Sequence, residues 1–444
     1  MVLFKSGKFY FLYRYLIAIC LLLPAALHSQ WFYPKEQIFS PFAKQDEAAS
    51  KRRQQVIAHA NSLDTLPAGN SDEAAFALDV ALWNVSQFRV KTPQSEAGVA
   101  RLLQAFDSLG GATQRALLEV VYGQFADMFL PEVKRIAAQT THPKTFAMAA
   151  VHLYRANADA ATRQWITNEI SRLKPNEQQK ALLESLQRYI QPGTAGNLPP
   201  LDSLFGRQRV HGFKVVYSFQ RASRNHAGLA VVQNPDGSFA RNSLGRLLTF
   251  VQLARSASNL PYFITNGSTP QGLFSIRGTA ISTNVFIGPT PNLQSAMPFE
   301  IPVPEFTHYF PIVLNATPER IYRSYFPDCW QQWPGLMEAF FAGKAGRGEI
   351  IAHGSTIDPE WFAGESFYPL SPTLGCLSGL ELWNKTTGKI DRSDQLDLVN
   401  AFLSTPGKNG YLMVINLDDK KAPVSREEVE QIVAKYELGP GTGN

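Results

Sequence analysis

Sieving the chain for groups able to attack a carbonyl leaves a thiol and an imidazole. Past residue 29 there are two cysteines, Cys329 and Cys376, and the histidines His59, His142, His152, His211, His226, His308 and His353. Cys376 sits in Ser371-Pro-Thr-Leu-Gly-Cys-Leu-Ser378, a small-residue turn. Gly375 permits a tight backbone path there, able to aim consecutive N–H groups at whatever the sulfur attacks. His353 ends the apolar run Ile350-Ile351-Ala352 and precedes Gly354, so it reads as a strand-end side chain facing a cleft. A thiol with a pKa of about 8.5 is mostly protonated at neutral pH and needs a base or a cation to become a nucleophile. A histidine within hydrogen-bond reach supplies the base and can later protonate a leaving amine. Two other uses of these residues compete. Cys329 and Cys376 could pair as a disulfide in an oxidising compartment. His353, Cys376 and His308 could hold zinc, although no two of them have characteristic ligand spacing. Neither a metal nor a cofactor is expected.

The elements that must position these groups fall into two textures. Residues 42–191 read as helical throughout, in segments 42–63, 71–87, 95–109, 112–129, 144–156, 159–173 and 176–190. Leu118, Val121 and Phe125, and again Leu182, Leu186 and Tyr189, have the spacing of one buried helix face. Short turns between such helices suggest a bundle or a solenoid, although no clean repeat is present. Residues 192–204, rich in proline and glycine, read as a linker. Beyond it, 213–219, 228–233, 279–287, 350–353 and 411–416 are short β-branched and aromatic runs. Asn234-Pro-Asp-Gly237 is a turn after one of them. Helices are expected at 246–257 and at 393–403, the second capped by Ser393. The fold class is therefore α+β multidomain. An all-α domain (30–191) precedes a mostly β domain (205–420), and a C-terminal helix or tail fills 421–444.

His353-Gly354 followed by Thr373-Leu374-Gly375-Cys376 resembles the signature of the L,D-transpeptidases of peptidoglycan, a histidine and then [S/T]-x-G-C. Thr269-Pro-Gln-Gly-Leu-Phe-Ser-Ile276 resembles that family's "TPxGxF" segment, and 228–237 its opening hairpin. The likeness covers residues 205–420, with all elements in the same order. It departs at Leu374, where the family usually has histidine, and at Ser378, where Asn or Arg is common. The gap between His353 and Thr373 is also slightly long. A branch described as a murein L,D-transpeptidase catalytic domain tolerates the missing histidine. The resemblance implies that Cys376 attacks the third residue of a stem tetrapeptide and expels D-Ala. His353 would be base and then acid, Gly375 and Cys376 N–H groups would hold the oxyanion, and Thr373 would orient the turn or the imidazole. An amine then resolves the thioester to a 3–3 crosslink. Gly354, Trp361, Leu374 and Ser378 are the positions expected to meet substrate. Asp358 or a backbone carbonyl would orient His353. Two rivals keep the site but change the outcome: hydrolysis of the thioester, as in an L,D-carboxypeptidase, or a degenerate wall-binding protein without activity.

Composition supplies the address. The formal net charge is +5, but residues 1–29 hold Lys5, Lys8 and Arg14 and no acid, so without them it is +5 − 3 = +2. That balance does not suit a nucleic-acid binder. A basic stretch, an apolar run from Tyr15 to Leu27 and a small residue at Ser29 read as a signal peptide, so the protein is expected in the periplasm or cell envelope, with membrane contact only through an uncleaved leader. Stem peptides are the expected partners, together with a protein partner for the helical domain. Of the remaining chemistry-bearing residues, Trp330, Trp333, Trp361 and Trp383 read first as core and second as groove lining. Arg207, Arg209, Arg221 and Arg224 read as a solvated face or a carboxylate-binding one. Gly343–Gly348 reads as a flexible connection.

Overall fold

The computed structural model describes residues 32–191, 197–310 and 316–438; the expected leader and residues 192–196 of the expected linker lie outside them. The N-terminal unit comprises α1 (Glu47–Ser62), α2 (Asp72–Phe88), α3 (Pro93–Gln104), α4 (Gly111–Gln124), α5 (Leu130–Gln139), α6 (Pro143–Ala156), α7 (Ala160–Ile170) and α8 (Glu177–Ile190). Their starts follow from local chemistry. Asp46, Ser71, Thr92, Asp159 and Asn176 each accept an N–H from the first turn of the helix that follows. The segment expected to begin at Phe42 begins instead at Glu47, because Asp46 is the cap. The segment expected to run to Phe129 stops at Gln124. A further helix, α5, starts after Phe129, with Pro131 in its first turn, where a missing N–H is harmless. α2 packs on α1 and α4, and α6 on α5 and α8.

The second unit is an eight-strand barrel-like sheet. Its strands are β1 (Lys214–Arg221), β2 (Gly228–Gln233), β3 (Phe250–Leu253), β4 (Gly272–Ala280), β5 (Asn292–Ala296), β6 (Ala352–His353), β7 (Leu377–Gly379) and, after the separate hairpin β8 (Glu381–Trp383) and β9 (Ile390–Ser393), β10 (Gly410–Asp418). Around the barrel the order is β1-β10-β4-β5-β6-β7-β3-β2, with β1–β10 and β6–β7 parallel. The helix expected at 246–257 is not formed. Its centre is β3, paired with β2 and β7, because Phe250-Val-Gln-Leu253 is β-branched and aromatic and a short apolar run does not distinguish the two periods. Of the expected strand 279–287 only the start belongs to β4. Around the barrel lie α9 (Leu201–His211), α10 (Val303–Phe306), α11 (Pro318–Ser324), α12 (Asp328–Gln331), α13 (Glu338–Lys344), α14 (Asp394–Leu403) and α15 (Arg426–Glu437). α14 is capped by Ser393 as its sequence suggests. α9 occupies the end of the expected linker, and α15 packs against it.

The two units share a core. Leu78, Leu102 and Leu186 belong to one buried cluster with Leu260, Phe263, Ile264, Phe362 and Phe367 of the β unit. Arg89 fixes the seam: its guanidinium meets Glu365 at 2.8 Å and the Ala257 carbonyl at 3.1 Å. Ahead of α1 the chain crosses the β unit, where the Tyr33 backbone exchanges two hydrogen bonds with Asn400.

Candidate active site

β6 and β7 lie side by side and parallel, with Ala352 opposite Leu377 and His353 opposite Ser378. The Leu377 N–H bonds the Ile351 carbonyl at 3.0 Å, so Cys376, just before β7, sits level with the chain that leads into His353. Both groups line one cleft of about 580 Å³, together with Thr373, Leu374, Arg347 and Glu349. Trp83 and Gln87 of α2 complete its wall. Gln87 donates to the Pro372 carbonyl at 3.1 Å, tying the helical unit to the cysteine turn.

His353 is buried, and its Nδ1 bonds the Gly354 carbonyl. A backbone carbonyl therefore orients the imidazole, while the Asp358 side chain caps the Glu360 N–H. Nε2 has no hydrogen-bond partner among the described residues. Cys376 is half-buried, and its Sγ approaches the Glu349 carbonyl at 3.4 Å. Glu349 holds a left-handed backbone (φ 60°), a conformation unusual for a non-glycine residue, anchored by its N–H to Glu300 at 2.7 Å. Burial pushes the thiol above its ordinary value, opposed by a backbone hydrogen bond to Ile351 and by the Arg347 charge. Burial also holds the imidazole below its ordinary value, opposed by the bond to Gly354. Both shifts favour the neutral thiol and the neutral imidazole over a preformed ion pair.

The turn itself is held by Thr373. Its hydroxyl donates to the Cys376 carbonyl at 2.8 Å and accepts the Gly375 N–H at 3.0 Å. The expected oxyanion donor at Gly375 is thus engaged within the turn, and the Cys376 N–H is the one without an acceptor among the described residues. Thr269, from the "TPxGxF" segment, reaches the Gly375 carbonyl at 2.8 Å. Gly375 has φ 120°, and a Cβ there would stand 2.3 Å from Arg347 Nη2, so glycine is required on both counts.

Leu374 stands half exposed at the cleft rim. Ser378 does not reach the cleft; it is fully buried and donates to the Ser371 carbonyl at 2.6 Å. Gly354 also lies behind the cleft, where its lack of a side chain admits the Glu381 carboxyl. Trp361 lines a neighbouring groove. Trp330 is core, and Trp383 donates to the Ser355 carbonyl behind the site. Cys329 is exposed, and both cysteines are free thiols, so the competing disulfide is not formed. His308 is committed to the Gly410 carbonyl at 2.8 Å, so the imagined zinc set does not assemble. Arg221 is buried between Asp418 and Glu428, and Arg224 against the Thr269 carbonyl, which removes both from a solvated face. The side chain of Arg209 lies outside the described residues.

Sequence reasoning missed Arg347. It lies in the glycine-rich stretch read as flexible, yet it is buried and donates to the carbonyls of Tyr262, Gly267 and Ser268. It forms no ion pair with a carboxylate among the described residues, and a thiolate formed at Cys376 would favour its charge. Glu381 was missed as well. Burial pushes its carboxyl to about 7, and it accepts from Ser355 N–H (2.9 Å) and Ser393 Oγ (2.8 Å), beside the carbonyl that orients His353. Compared with protein-family models, curated proteins and solved structures, the chain matches none.

Proposed function

We propose that the chain is a cysteine acyltransferase of the cell wall, an L,D-transpeptidase that forms a thioester with a stem tetrapeptide. The observation that carries this reading is one cleft lined by both the Cys376 thiol and His353, with His353 Nε2 and the Cys376 N–H lacking partners among the described residues. The resemblance over residues 205–420 supplies the substrate class, and the leader supplies the compartment.

In this reading Nε2 of His353 takes the thiol proton as Sγ attacks the carbonyl of the third stem residue. The Cys376 N–H receives the developing oxyanion, and the buried charge of Arg347 lies close by. Collapse breaks the C–N bond, and the imidazolium returns its proton to the departing D-Ala amine. An acceptor amine then attacks the thioester.

Incubation of the full chain with disaccharide tetrapeptide, followed by mass spectrometry, tests this. A dimer lacking one D-Ala is the expected product. Tripeptide alone would make the protein a carboxypeptidase, and unchanged substrate would leave a wall-binding protein. Because the resting thiol is protonated, Cys376 alkylation should rise with pH through an inflection above that of free cysteine.

A further inference from the structure

Beside the cleft lies a second groove of about 600 Å³, walled by α1, α2, the loop after β6 and the segment preceding α1. Trp83, Phe286 and Ile357 line both spaces, so the groove adjoins the cleft. The groove is aromatic: Phe42 meets Phe286 edge-on at 5.2 Å, and Phe88 meets Trp361 at 5.1 Å. Two guanidiniums lie on those rings, Arg52 at 4.3 Å from the centre of Phe42 and Arg53 at 4.1 Å from that of Trp361. Arg52 also donates to the Phe42 carbonyl at 2.9 Å, but Arg53 makes no hydrogen bond or ion pair among the described residues.

A guanidinium packed over a ring is already partly ordered, and its donors match a carboxylate in two parallel hydrogen bonds. Apolar rings beneath it accept an aliphatic stem. That pairing suits a carboxylate-bearing peptide laid along Arg52 and Arg53; the groove's own acids are Asp358 and Glu360, the second 3.9 Å from Lys385. Half of the wall belongs to the helical unit, which otherwise gives the chemistry only Trp83 and Gln87.

We propose that this groove binds the acidic peptide that carries the incoming amine, so that the helical unit supplies the acceptor half of the reaction. The inference rests on the acyltransferase reading. With the acyl group on Cys376 Sγ, the amine nitrogen attacks the thioester carbonyl. The C–N bond forms and the C–S bond breaks. The amine proton passes to His353 Nε2 and from there to the departing sulfur, which restores the thiol.

The test uses the full chain with disaccharide tetrapeptide as donor and two acceptors: a stem tripeptide with a free side-chain amine, and the same tripeptide with its carboxylates amidated. Mass spectrometry reads the acyl-enzyme on Cys376 and the ratio of crosslinked dimer to hydrolysed tripeptide. Arg53 is exposed on α1, so Arg53→Glu should fold normally. The expected result is unchanged acylation with a dimer ratio lowered about tenfold, the scale of a charge-assisted hydrogen bond. Amidated acceptor should lower the ratio equally in the wild type and change little further in Arg53→Glu. Intact acylation with an unmoved ratio in both arms would overturn this inference alone. Absence of any acyl-enzyme in the wild type would overturn the functional reading and this inference with it.

Discussion

On one side of the barrel the chain runs in long ladders, and on the other it does not. β1 and β10 pair over eight positions from Lys214↔Gly410 to Arg221↔Asp418, and β10 continues with five onto β4. β6, by contrast, meets β5 at the single pair Leu293↔Ala352 and β7 at two. Side chains replace the missing ladder. Gln395 donates to the carbonyls of Ala352 (2.9 Å) and Pro291 (3.1 Å), Ser378 to that of Ser371, and Arg347 to three more. Strand ends that are not locked into a ladder are free to present Cys376 and His353. The accompanying cost is a set of buried polar groups, each of which must keep its partner. The two sides should therefore fail in different ways.

The largest effects separate them. Phe274 lies on the ladder side, fully buried among Val216, Leu412 and Val414. Phe274→Ala should cost about 3–5 kcal/mol in urea unfolding, while the molecules still folded acylate at nearly the wild-type rate. His353→Ala should do the reverse: acylation falls by about 10²–10⁴ with a smaller loss in unfolding than Phe274→Ala. A folded but inactive Phe274→Ala protein, or a His353→Ala protein that unfolds, would erase the distinction.

Two buried carboxyls sharpen it. Burial pushes both Glu119, in the seam, and Glu381, behind the site, to about 7 from an ordinary 4.5. Such a group contributes its full stability below about pH 4.5, where folded and unfolded chains are both protonated. As pH rises toward 7 the unfolded chain releases its proton and the folded one does not, so the contribution is lost. Replacement by Gln removes that loss. Each variant should therefore gain on the wild type between pH 4.5 and 7, by up to about 3 kcal/mol, and stay level above. Urea titrations at pH 4.5, 6 and 8 read this. Glu381→Gln should also slow acylation, because its carboxyl holds the Ser355 N–H next to the carbonyl that orients His353. Glu119→Gln should not; its contacts are Ser86 and Asn266. Equal activity in the two variants would separate Glu381 from the imidazole.

What the sequence made legible follows the same division. The glycine before Cys376, the apolar run before His353 and the Ser393 cap are local signals, and each reads through to the structure. The division into a helical and a β-rich part was legible too, from the change in periodicity at the proline-rich stretch. Ser378 was misplaced because nearness to the cysteine in sequence says nothing about which way a side chain points once β7 begins. Arg347 was overlooked because glycines on either side read as flexibility, whereas they let a buried guanidinium reach three carbonyls. Trp83 and Gln87 lie far from Cys376 along the chain, and only the packing of α2 on the β unit brings them to the cleft. No periodicity in either segment announces that meeting.

The smallest effect is the most selective test of the two sides. Ser378 and Ser218 are both fully buried, and each donates its hydroxyl, Ser378 to the Ser371 carbonyl at 2.6 Å and Ser218 to Gln252 Oε1 at 2.9 Å. Ser378→Ala should cost about 1 kcal/mol in unfolding, the net worth of one buried hydrogen bond, and Ser218→Ala about 2 kcal/mol, because its Oγ also accepts from Gln220 Nε2 at 2.9 Å. The backbone around Ser218 is held by β10 on one side and β2 on the other, so its neighbours stay in register without the hydroxyl. Ser378 also lies between ladder neighbours, Leu253 of β3 and His353 of β6, but its hydroxyl in addition ties β7 to Ser371, at the start of the turn that carries Cys376. Ser378→Ala should therefore raise the Cys376 alkylation rate several-fold at fixed pH as the turn loosens, and Ser218→Ala should leave it unchanged. If both variants alkylate alike, the turn is held by Thr373 and Arg347 without help from Ser378. Side-chain anchors on this side of the barrel would then be redundant, as the rungs of a ladder are.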